Sequence, residues 1–550
     1  MGTSNLMPRM LATTSLVGPR GPAGAPGVDS VPAEEAVTAY VENDTSSVAA
    51  AVDARIGAAT GTVVADLATE TNRATAAEEA LHAILDEQVV DVLPNGIIEG
   101  RSVFTYGPSR GVGVTAQRIH FDRIWSRIGS GFHYNGCTGG YFAADAAAVA
   151  YGAISHVSEH GAADAWTTSS AVSTWINRAL WGGLVFIWPF GADARDDGLS
   201  TRNSTTAKAR AGAATALHAF IALVRAQNRV EANRSATYSI TNGSPTVVGL
   251  ADPMYRGMLI TATGVPANTY VGEMINGGLG GFKLSSSRTT QVDINATATN
   301  ASASLTFSPV YTGTIGAIAH TGLSGGLGIR LSSDGATSTY VIHLTEPRRV
   351  QWVTAAIDDA EYVATAGAPF GGNGGAGYSI TVNGGAPITG TTSNKHRFGA
   401  LNLCWGNMAV DLGVLPAGAN TIAITASGTS KVLVDDTLLI ESLTPPTVMV
   451  MKEVQLPAAY YALFADRNAS WAKTQIYNGI IDSEIAVWPN DQSVIAHDIT
   501  ADIPGYDPNV YISSRDGAYA HFNDPLERRA ANSILKRANQ LPARPGLIWT

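Results

Sequence analysis

One serine follows a short apolar run at a turn, where its hydroxyl could do chemistry. The residues from Val103 to Tyr106 are β-prone, and Gly107-Pro108-Ser109 ends the run. A strand that breaks into such a turn lifts the Ser109 hydroxyl above the carboxyl edge of a sheet, where open α/β sheets keep their sites. The chemistry would be nucleophilic attack by the serine. The alternative is an ordinary strand-to-loop turn, because Gly-Pro-Ser is common in turns.

The composition is that of a large protein with few charges. The chain has 550 residues, which predicts several domains, and only 15% of them are charged. A formal net charge of −10 and the lack of a dense Lys/Arg cluster argue against a nucleic-acid partner. Cys137 and Cys404 lie far apart in the sequence, so we expect no disulfide framework, no metal site and no cofactor.

The beginning of the chain does not predict export by a signal peptide. Residues 1–17 include Arg9 but have no sustained apolar core. No apolar run approaches membrane-spanning length, so we expect no membrane insertion. We therefore expect synthesis in a cytoplasm and, if the protein leaves the cell, another route.

The next segments predict a stalk made of several chains. Residues 18–31 begin with glycine at every third place, from Gly18 to Gly27, which is the collagen pattern; the alternative is a Pro/Gly linker. Residues 32–88 carry apolar residues mostly three, four or seven apart, as in a coiled-coil seam. The seam residues are Val41, Val48, Val52, Ile56, Val63, Leu67, Ala74, Ala77, Leu81, Ile84 and Leu85. Because collagen also needs three chains, we expect a parallel homotrimer, joined by a neck at 89–100 to the domains that follow.

Two separated regions show the alternation of strands and helices. Leu184–Trp188 is a continuous apolar run of the kind that a buried parallel strand gives, and a long helix is predicted over 205–227. After Pro445-Pro446 the alternation returns and ends in a helix over 525–540. We therefore predict one three-layer α/β domain, 98–230 plus 445–550, interrupted by an insertion.

The insertion predicts β structure throughout. Short alternating runs and turn glycines indicate a small β module over 232–307 and a second module over 308–442. The second module resembles a carbohydrate-binding β-sandwich, and the first resembles small β modules of tail-associated phage proteins. Trp352, Tyr378 and Trp405 are then candidates for stacking on sugars, although each could instead be a core residue. The alternative for the whole insertion is a structural spacer.

Joined across the insertion, the α/β halves resemble the SGNH/GDSL hydrolase family in degenerate form. The residues at the positions of the family's motifs are Gly107-Pro108-Ser109, then Gly136 or Gly139, then Asp193, then Asp516 with His521. The resemblance implies Ser109 as nucleophile, His521 as base and Asp516 as the residue that orients the imidazole. It implies the glycines and position 193 as donors to the oxyanion.

The departures from the family's motifs predict a weak or inactive enzyme. Pro108 replaces the acidic residue that precedes the nucleophile, and two extra residues separate Asp516 from His521. Asp193 stands where the family has asparagine, and an ionised carboxylate donates no hydrogen bond to an oxyanion.

The order of the segments resembles minor tail proteins or tail fibres of phages that infect actinobacteria. That resemblance implies a structural virion protein at the tail tip, made in the host cytoplasm and joined to other tail proteins through residues 1–17. It also implies binding to a glycan or glycolipid of the host envelope. The alternatives are an esterase that deacylates envelope glycans or lipids, and a secreted bacterial esterase on a stalk.

Overall fold

The structure is a computed structural model that describes most of the chain beyond residue 183 and parts of the chain before it. The described residues are 33–90, 103–106, 133–135, 156–157, 163–164, 184–196, 206–249, 256–276, 280–319, 327–357, 376–392, 405–428, 433–443, 445–488, 493–513 and 519–539. The chain forms two compact units, Met1–Ala80 and Leu81–Thr550. The predicted segments 1–17 and 18–31 and most of the neck lie outside the described residues.

The first element is one long helix, α1 (Ala33–Val90), of 58 residues. It covers the segment for which a coiled coil is predicted, while its pairing with other chains stays a prediction. The apolar side chains described in it are exposed, as Val63 and Leu67 show at 64% and 66%. One part, Ser47–Thr75, is long and apolar enough to cross a membrane by length and composition, with a mean hydropathy of 1.3. This finding differs from the expectation that no apolar run of the sequence approaches membrane-spanning length.

The elements between α1 and the β-rich part are short strands followed by two helices. They are β1 (Val103–Tyr106), β2 (His133–Asn135), β3 (His156–Val157), β4 (Ala163–Asp164), β5 (Leu184–Ile187), α2 (Gly191–Asp196), α3 (Thr206–Arg225) and β6 (Ala226–Glu231). Helix α3 buries Leu217, Phe220 and Leu223 completely. Strand β6 follows α3 without a loop, where the sequence predicted that the helix would continue to residue 227.

Six described strands close into a barrel that corresponds to the predicted small β module. They are β7 (Arg234–Ile240), β8 (Thr246–Val248), β9 (Leu259–Thr261), β10 (Thr269–Ile275), β11 (Gly281–Ser285) and β12 (Asn300–Ser308). Tyr238, Phe282 and Phe307 meet edge to face inside it, with ring centroids 5.6 to 5.9 Å apart. Gly257 touches the neighbouring sandwich so closely that a Cβ would lie 2.6 Å from the Val341 carbonyl oxygen.

The following strands form antiparallel sheets that pack face to face, a sandwich-like arrangement. They are β13 (Val310–Thr312), β14 (Ile315–Ala319), β15 (Leu327–Leu331), β16 (Thr337–Leu344), β17 (Arg348–Ile357), β18 (Gly377–Val382), β19 (Ile388–Thr391), β20 (Trp405–Leu415), β21 (Gly418–Ser427), β22 (Leu433–Asp435) and β23 (Thr437–Glu441). The spatial orders are β13-β16-β21-β18-β19, β20-β17-β23-β6 and β14-β15-β22. Alternating buried residues such as Ile422 and Ile424 fill the space between the sheets.

The last described part returns to alternating strands and helices. Its elements are β24 (Thr447–Met451), α4 (Ala458–Leu463), a 3-10 turn (Ala465–Arg467), α5 (Trp471–Ile485), β25 (Val494–His497), a 3-10 turn (Ile499–Asp502), α6 (Pro508–Tyr511) and α7 (Asp524–Asn539). Ser470 caps α5, because its side chain accepts the N–H of Lys473. Helix α7 buries its Leu526, Ala530 and Ile534 face.

A parallel sheet connects the two sides of the β-rich part. Its described strands have the order β2-β1-β5-β24-β25, and every neighbouring pair is parallel. Counted along the sheet's own strands this is 2-1-3-4-5, one of the two common doubly wound orders. Strand β5 lies directly beside β24 although more than 250 residues separate them in sequence. All five strands therefore end at one carboxyl edge.

Trp488, after α5, joins the helices to the sandwich. The His218 ring of α3 stacks on it at 5.1 Å, and the Arg349 guanidinium of β17 lies 4.9 Å from its ring centroid. The Glu484 carboxylate accepts the Trp488 indole N–H at 2.9 Å and contacts His218 Nδ1 at 2.6 Å. His218 Nε2 contacts Gln351 Oε1 at 3.0 Å. This buried polar cluster fixes α3 and α5 against the sandwich.

Candidate functional site

The candidate site is the carboxyl edge of the parallel sheet. Tyr106, the last residue of β1, is paired in register with Ile187, the last residue of β5. β1 and β5 therefore end side by side at this edge, and Ser109 follows the end of β1 by three positions in the sequence. Ser109 itself lies outside the described residues, as do Asp516, Gly136 and Gly139. Their predicted roles stay predictions.

His521 lies near this edge through its neighbour Phe522. Trp188, directly after β5, packs edge to face on the Phe522 ring at 5.5 Å and donates its indole N–H to the Lys452 carbonyl at 3.0 Å. The backbone carbonyl of His521 accepts the N–H of Ser513 at 2.8 Å, and its side chain is 9% exposed. The predicted base is thus an enclosed histidine whose neighbour Phe522 packs on the residue that follows β5, and its catalytic role stays a prediction.

Asp193 is an interior carboxylate. It lies in the first turn of α2, is completely buried, and has its Oδ1 enclosed by protein. The buried Lys473 of α5 fixes the end of α2, because its ammonium donates to the Arg195 carbonyl at 3.2 Å and to the Arg467 carbonyl at 2.9 Å. The side chain at position 193 is therefore enclosed by protein, in the turn of chain that follows β5.

A set of histidine, serine and aspartate does occur among the described residues, but in a non-catalytic order. His497 Nε2 lies 2.8 Å from Ser533 Oγ, and that hydroxyl donates to Asp502 Oδ2 at 2.7 Å. The serine hydroxyl thus donates its hydrogen bond to the aspartate and accepts one from the histidine. In a catalytic triad the serine hydroxyl donates to the histidine instead, so this serine is not activated as a nucleophile. Burial lowers the pKa of His497 to about 4, so the imidazole is neutral. The set fastens α7 to β25.

The two described aromatic candidates of the sandwich are core residues, which corrects their assignment to a ligand site. Trp352 is completely buried and Tyr378 is 6% exposed, and their rings meet edge to face at 5.4 Å. Neither ring offers a face to a sugar, because the opposing sheets cover both. Only the backbone of Trp405, the first residue of β20, is described. Its stacking role stays a prediction.

The sandwich core also encloses a carboxylate that sequence reasoning missed. Asp435 accepts the Trp352 indole N–H at 2.8 Å and the Tyr340 hydroxyl at 2.9 Å. Desolvation raises the pKa of Asp435 to about 6 despite these donors. The run Val432-Leu433-Val434-Asp435 gave no signal of this role, since the donors are far away in sequence. Within the described segments, no group of three or more His, Cys, Asp or Glu side chains could hold a metal ion.

Comparisons with known proteins return similar structures but no family. No protein-family model matches the chain, and no curated protein matches it. Similar solved structures include a CBM35 from Cellvibrio japonicus Abf62, with 22% identity over 24% of this chain and 84% of that one, at a TM-score of 0.18. A family 35 carbohydrate-binding module from Clostridium thermocellum has 19% identity over 24% and 91%, also at 0.18.

A further similar structure is a GH26-CBM35 β-(1,4)-mannanase from Podospora anserina. It has 22% identity over 24% of this chain and 26% of that chain, at a TM-score of 0.17. Likeness at such TM-scores assigns no function to this chain. The fold and the site define a β-rich protein of many sheets, with a parallel sheet whose carboxyl edge is the candidate site.

Proposed function

We propose that the protein is a trimeric attachment protein of a phage tail, a tail fibre or minor tail protein, that binds a glycan of the host envelope. The observation that carries the proposal is the apolar stripe of α1, formed by the predicted seam residues, whose described Val, Ile and Leu members are 48% to 66% exposed in a single chain. Most of α1 belongs to the unit Met1–Ala80, and an exposed apolar stripe of this kind on a helix favours a partner that covers it.

The spacing of the stripe supports self-association. Five of its residues lie eleven positions apart: Val41, Val52, Val63, Ala74 and Leu85. Eleven residues make about three turns, so this spacing keeps one face along the helix with little drift and favours a right-handed supercoil. Ile56 and Leu67 repeat the same interval beside it. A second copy of this chain carries a stripe of the same length and period.

Charges beside the stripe fit a parallel arrangement of copies. Asp53 and Arg55 are two residues apart and so lie on opposite flanks of the stripe, each about 80° from its centre. In a parallel bundle in register, the Arg55 flank of one chain faces the Asp53 flank of the next, about 3 Å apart in height. Glu70 lies within the stripe and accepts a 2.9 Å hydrogen bond from Arg73 Nε. Such a polar layer favours one register.

In this proposal the protein belongs to the virion at the tail tip and is made in the host cytoplasm. Residues 1–17 join other tail proteins, and the β-rich part with the parallel sheet meets the host. The mass of the full chain in solution, measured by light scattering, tests the assembly. We expect three times the 57.1 kDa of one chain, whereas a helical monomer would contradict the trimer.

A second candidate function is hydrolysis of esters on envelope glycans or lipids by an SGNH-like site. The doubly wound strand order supports it, because β1, which precedes Ser109 in the sequence, ends at the same edge as β5, and Trp188 after β5 packs on Phe522 beside His521. Against it, the buried Asp193 offers no open donor to an oxyanion. A short-chain ester assay across pH, comparing the parent with Ser109→Ala and Asp193→Asn, tests this function. We expect little or no turnover at neutral pH; fast turnover that Ser109→Ala abolishes would establish the enzyme.

A further inference from the structure

The apolar stripe of α1 repeats so regularly that it does not by itself fix how two copies are aligned. Its members at positions 41, 52, 63, 74 and 85 follow one another at eleven-residue intervals. Eleven residues of helix rise about 16 Å. If one copy shifts along another by this distance, Val52 of one lies level with Val63 of the other, and apolar residues still face each other. The stripe therefore allows parallel copies to align in register or one interval out of register.

Glu70 breaks a second apolar series that runs beside the first. Val48, Ala59 and Leu81 belong to the same eleven-residue series and are apolar. Glu70 also lies eighteen residues after Val52, about five turns of helix, and so shares the face of the stripe. Its side chain is 60% exposed in a single chain. A parallel bundle in register would therefore bring the Glu70 carboxylates of all copies to one level.

Arg73 neutralises this carboxylate within each chain. Its guanidinium donates to Glu70 twice, from Nε to Oε2 at 2.9 Å and from Nη2 to Oε1 at 2.5 Å. Because Arg73 follows Glu70 by three residues, it lies about 60° to one side of it, on the flank of the stripe. The side chain is 78% exposed, and a guanidinium has five N–H groups. Arg73 can therefore also donate to the Glu70 carboxylate of a neighbouring copy.

The two alignments treat this ion pair differently. In register, the Glu70–Arg73 pairs of all copies lie level and can bond to one another. After a shift of one interval, the pair of one copy lies level with Ala59 or Leu81 of its neighbours, whose side chains accept and donate no hydrogen bond. Burial of a charge beside such side chains is costly. The pair thus disfavours the shifted alignment, in the way that a polar core position sets the register of a coiled coil at some cost in stability.

We propose that Glu70 and Arg73 hold the copies of α1 in register by preventing a shift of eleven residues. This inference rests on the proposed trimer and names the residues that determine its alignment. The apolar stripe drives association, and the Glu70–Arg73 pair selects one of the alignments that the stripe allows. The site is complete only when a second copy of this chain lies beside the first.

Disulfide trapping between two kinds of full chain tests the alignment. Both kinds carry Cys137→Ser and Cys404→Ser; one also carries Val52→Cys and a tag that changes its mass, and the other carries Val63→Cys. The two are expressed together and oxidised mildly, and the linked products are separated by gel electrophoresis without reductant. In register, thiols at positions 52 and 63 are about 16 Å apart in height, whereas the Cα atoms of a disulfide are about 6 Å apart. A linked pair of unlike chains therefore reports a shift.

With Glu70 in place, we expect linkage between like chains only. In Glu70→Leu, which makes its series apolar, we expect linkage of unlike chains to increase about tenfold or more. Ala65→Leu is the matched control, because it adds the same side chain about 200° around the helix from Val63 and should leave the linkage unchanged. If Glu70→Leu aggregates, Glu70→Ala, which removes the carboxylate without adding bulk, decides in its place.

Two results would overturn the inference while the parent still has three times the mass of one chain. One is linkage of unlike chains when Glu70 is in place, and the other is its absence from the Glu70 variants. The trimer itself would remain standing in both cases. A parent that is monomeric by light scattering overturns the trimer and the inference together.

Discussion

Asp435 shows at the scale of one residue how the sandwich core is specified. Its carboxylate satisfies two buried donors, the Trp352 indole and the Tyr340 hydroxyl, that would otherwise lack an acceptor between the sheets. The side chain is completely buried, so its charged form has lost the water that stabilises it. The core therefore gains a specific polar contact and a dependence on pH together.

The pKa of Asp435 predicts how pH changes the stability of the sandwich. Burial raises this pKa from 3.8 to about 6, so the folded state holds a proton that the unfolded state releases between these values. The stabilisation is complete below pH 3.8 and is lost as pH rises through about 6. Asparagine does not titrate, so Asp435→Asn lacks this loss of stability. We expect the free energy of unfolding of the variant minus that of the parent to rise by up to about 3 kcal/mol between pH 4 and pH 7.

Urea unfolding of both proteins at a series of pH values measures this difference. Asp293→Asn is the control, because its carboxylate is exposed on the barrel and should change little. A difference between Asp435→Asn and the parent that is constant from pH 4 to pH 7 would contradict the account.

His497 predicts the opposite pH dependence in the α/β part. Burial lowers its pKa to about 4. Between pH 6.5 and pH 4 the imidazole is therefore protonated in the unfolded chain but neutral in the folded chain. Stability is complete above pH 6.5 and falls by up to about 3 kcal/mol as pH drops toward 4. An NMR titration of the imidazole should find it neutral at pH 5.5, and His497→Gln should lose this part of the acid sensitivity. Titration near pH 6.5 would show that the ring is not enclosed by Ser533 and its neighbours.

At the scale of elements, the hydrophobic pattern of the sequence predicted those strands and helices that the local sequence determines. The continuous apolar run at 184–188 predicted a buried strand, and β5 is fully buried in the sheet. The helix predicted over 525–540 corresponds to α7, which spans Asp524–Asn539. The strand β6 was missed because Ala226–Glu231 is held extended by pairing with β23, as between Val230 and Leu438, and no local signal records that partner.

The burial of candidate site residues also depends on partners that are distant in the sequence. Trp352 is a suitable stacking residue by type, but the Asp435 carboxylate that fixes it in the core is 83 residues away. His218 and Glu484, which contact each other at Trp488, are 266 residues apart. The Ser109, Asp516 and glycine assignments came from motif positions and remain predictions.

Helix α1 gives an element-scale prediction about its seam. In a parallel bundle, copies of Val63 face one another, while Ala65 is about 200° further around the helix and faces solvent. In a background of Cys137→Ser and Cys404→Ser, we expect Val63→Cys to form disulfide-linked chains on mild oxidation and Ala65→Cys not to. Gel electrophoresis without reductant measures the linkage. Equal cross-linking at both positions would show that the eleven-residue stripe is not the seam.

At the scale of the whole molecule, the chain combines a long helix with an exposed stripe, a barrel, a sandwich and a parallel sheet. The parallel sheet draws its strands from both sides of the β-rich part, and Trp488 with its partners anchors the sandwich to α3 and α5.

Retention of the full chain on isolated cell-wall polysaccharide of actinobacterial hosts tests the central claim most directly. The polysaccharide is used untreated and after periodate oxidation, which cleaves the C–C bond between adjacent hydroxyl-bearing carbons of its sugars. We predict retention on the untreated glycan and its loss after oxidation, because the recognised groups are sugar hydroxyls. No retention on any host glycan, or retention that oxidation leaves unchanged, would contradict glycan attachment.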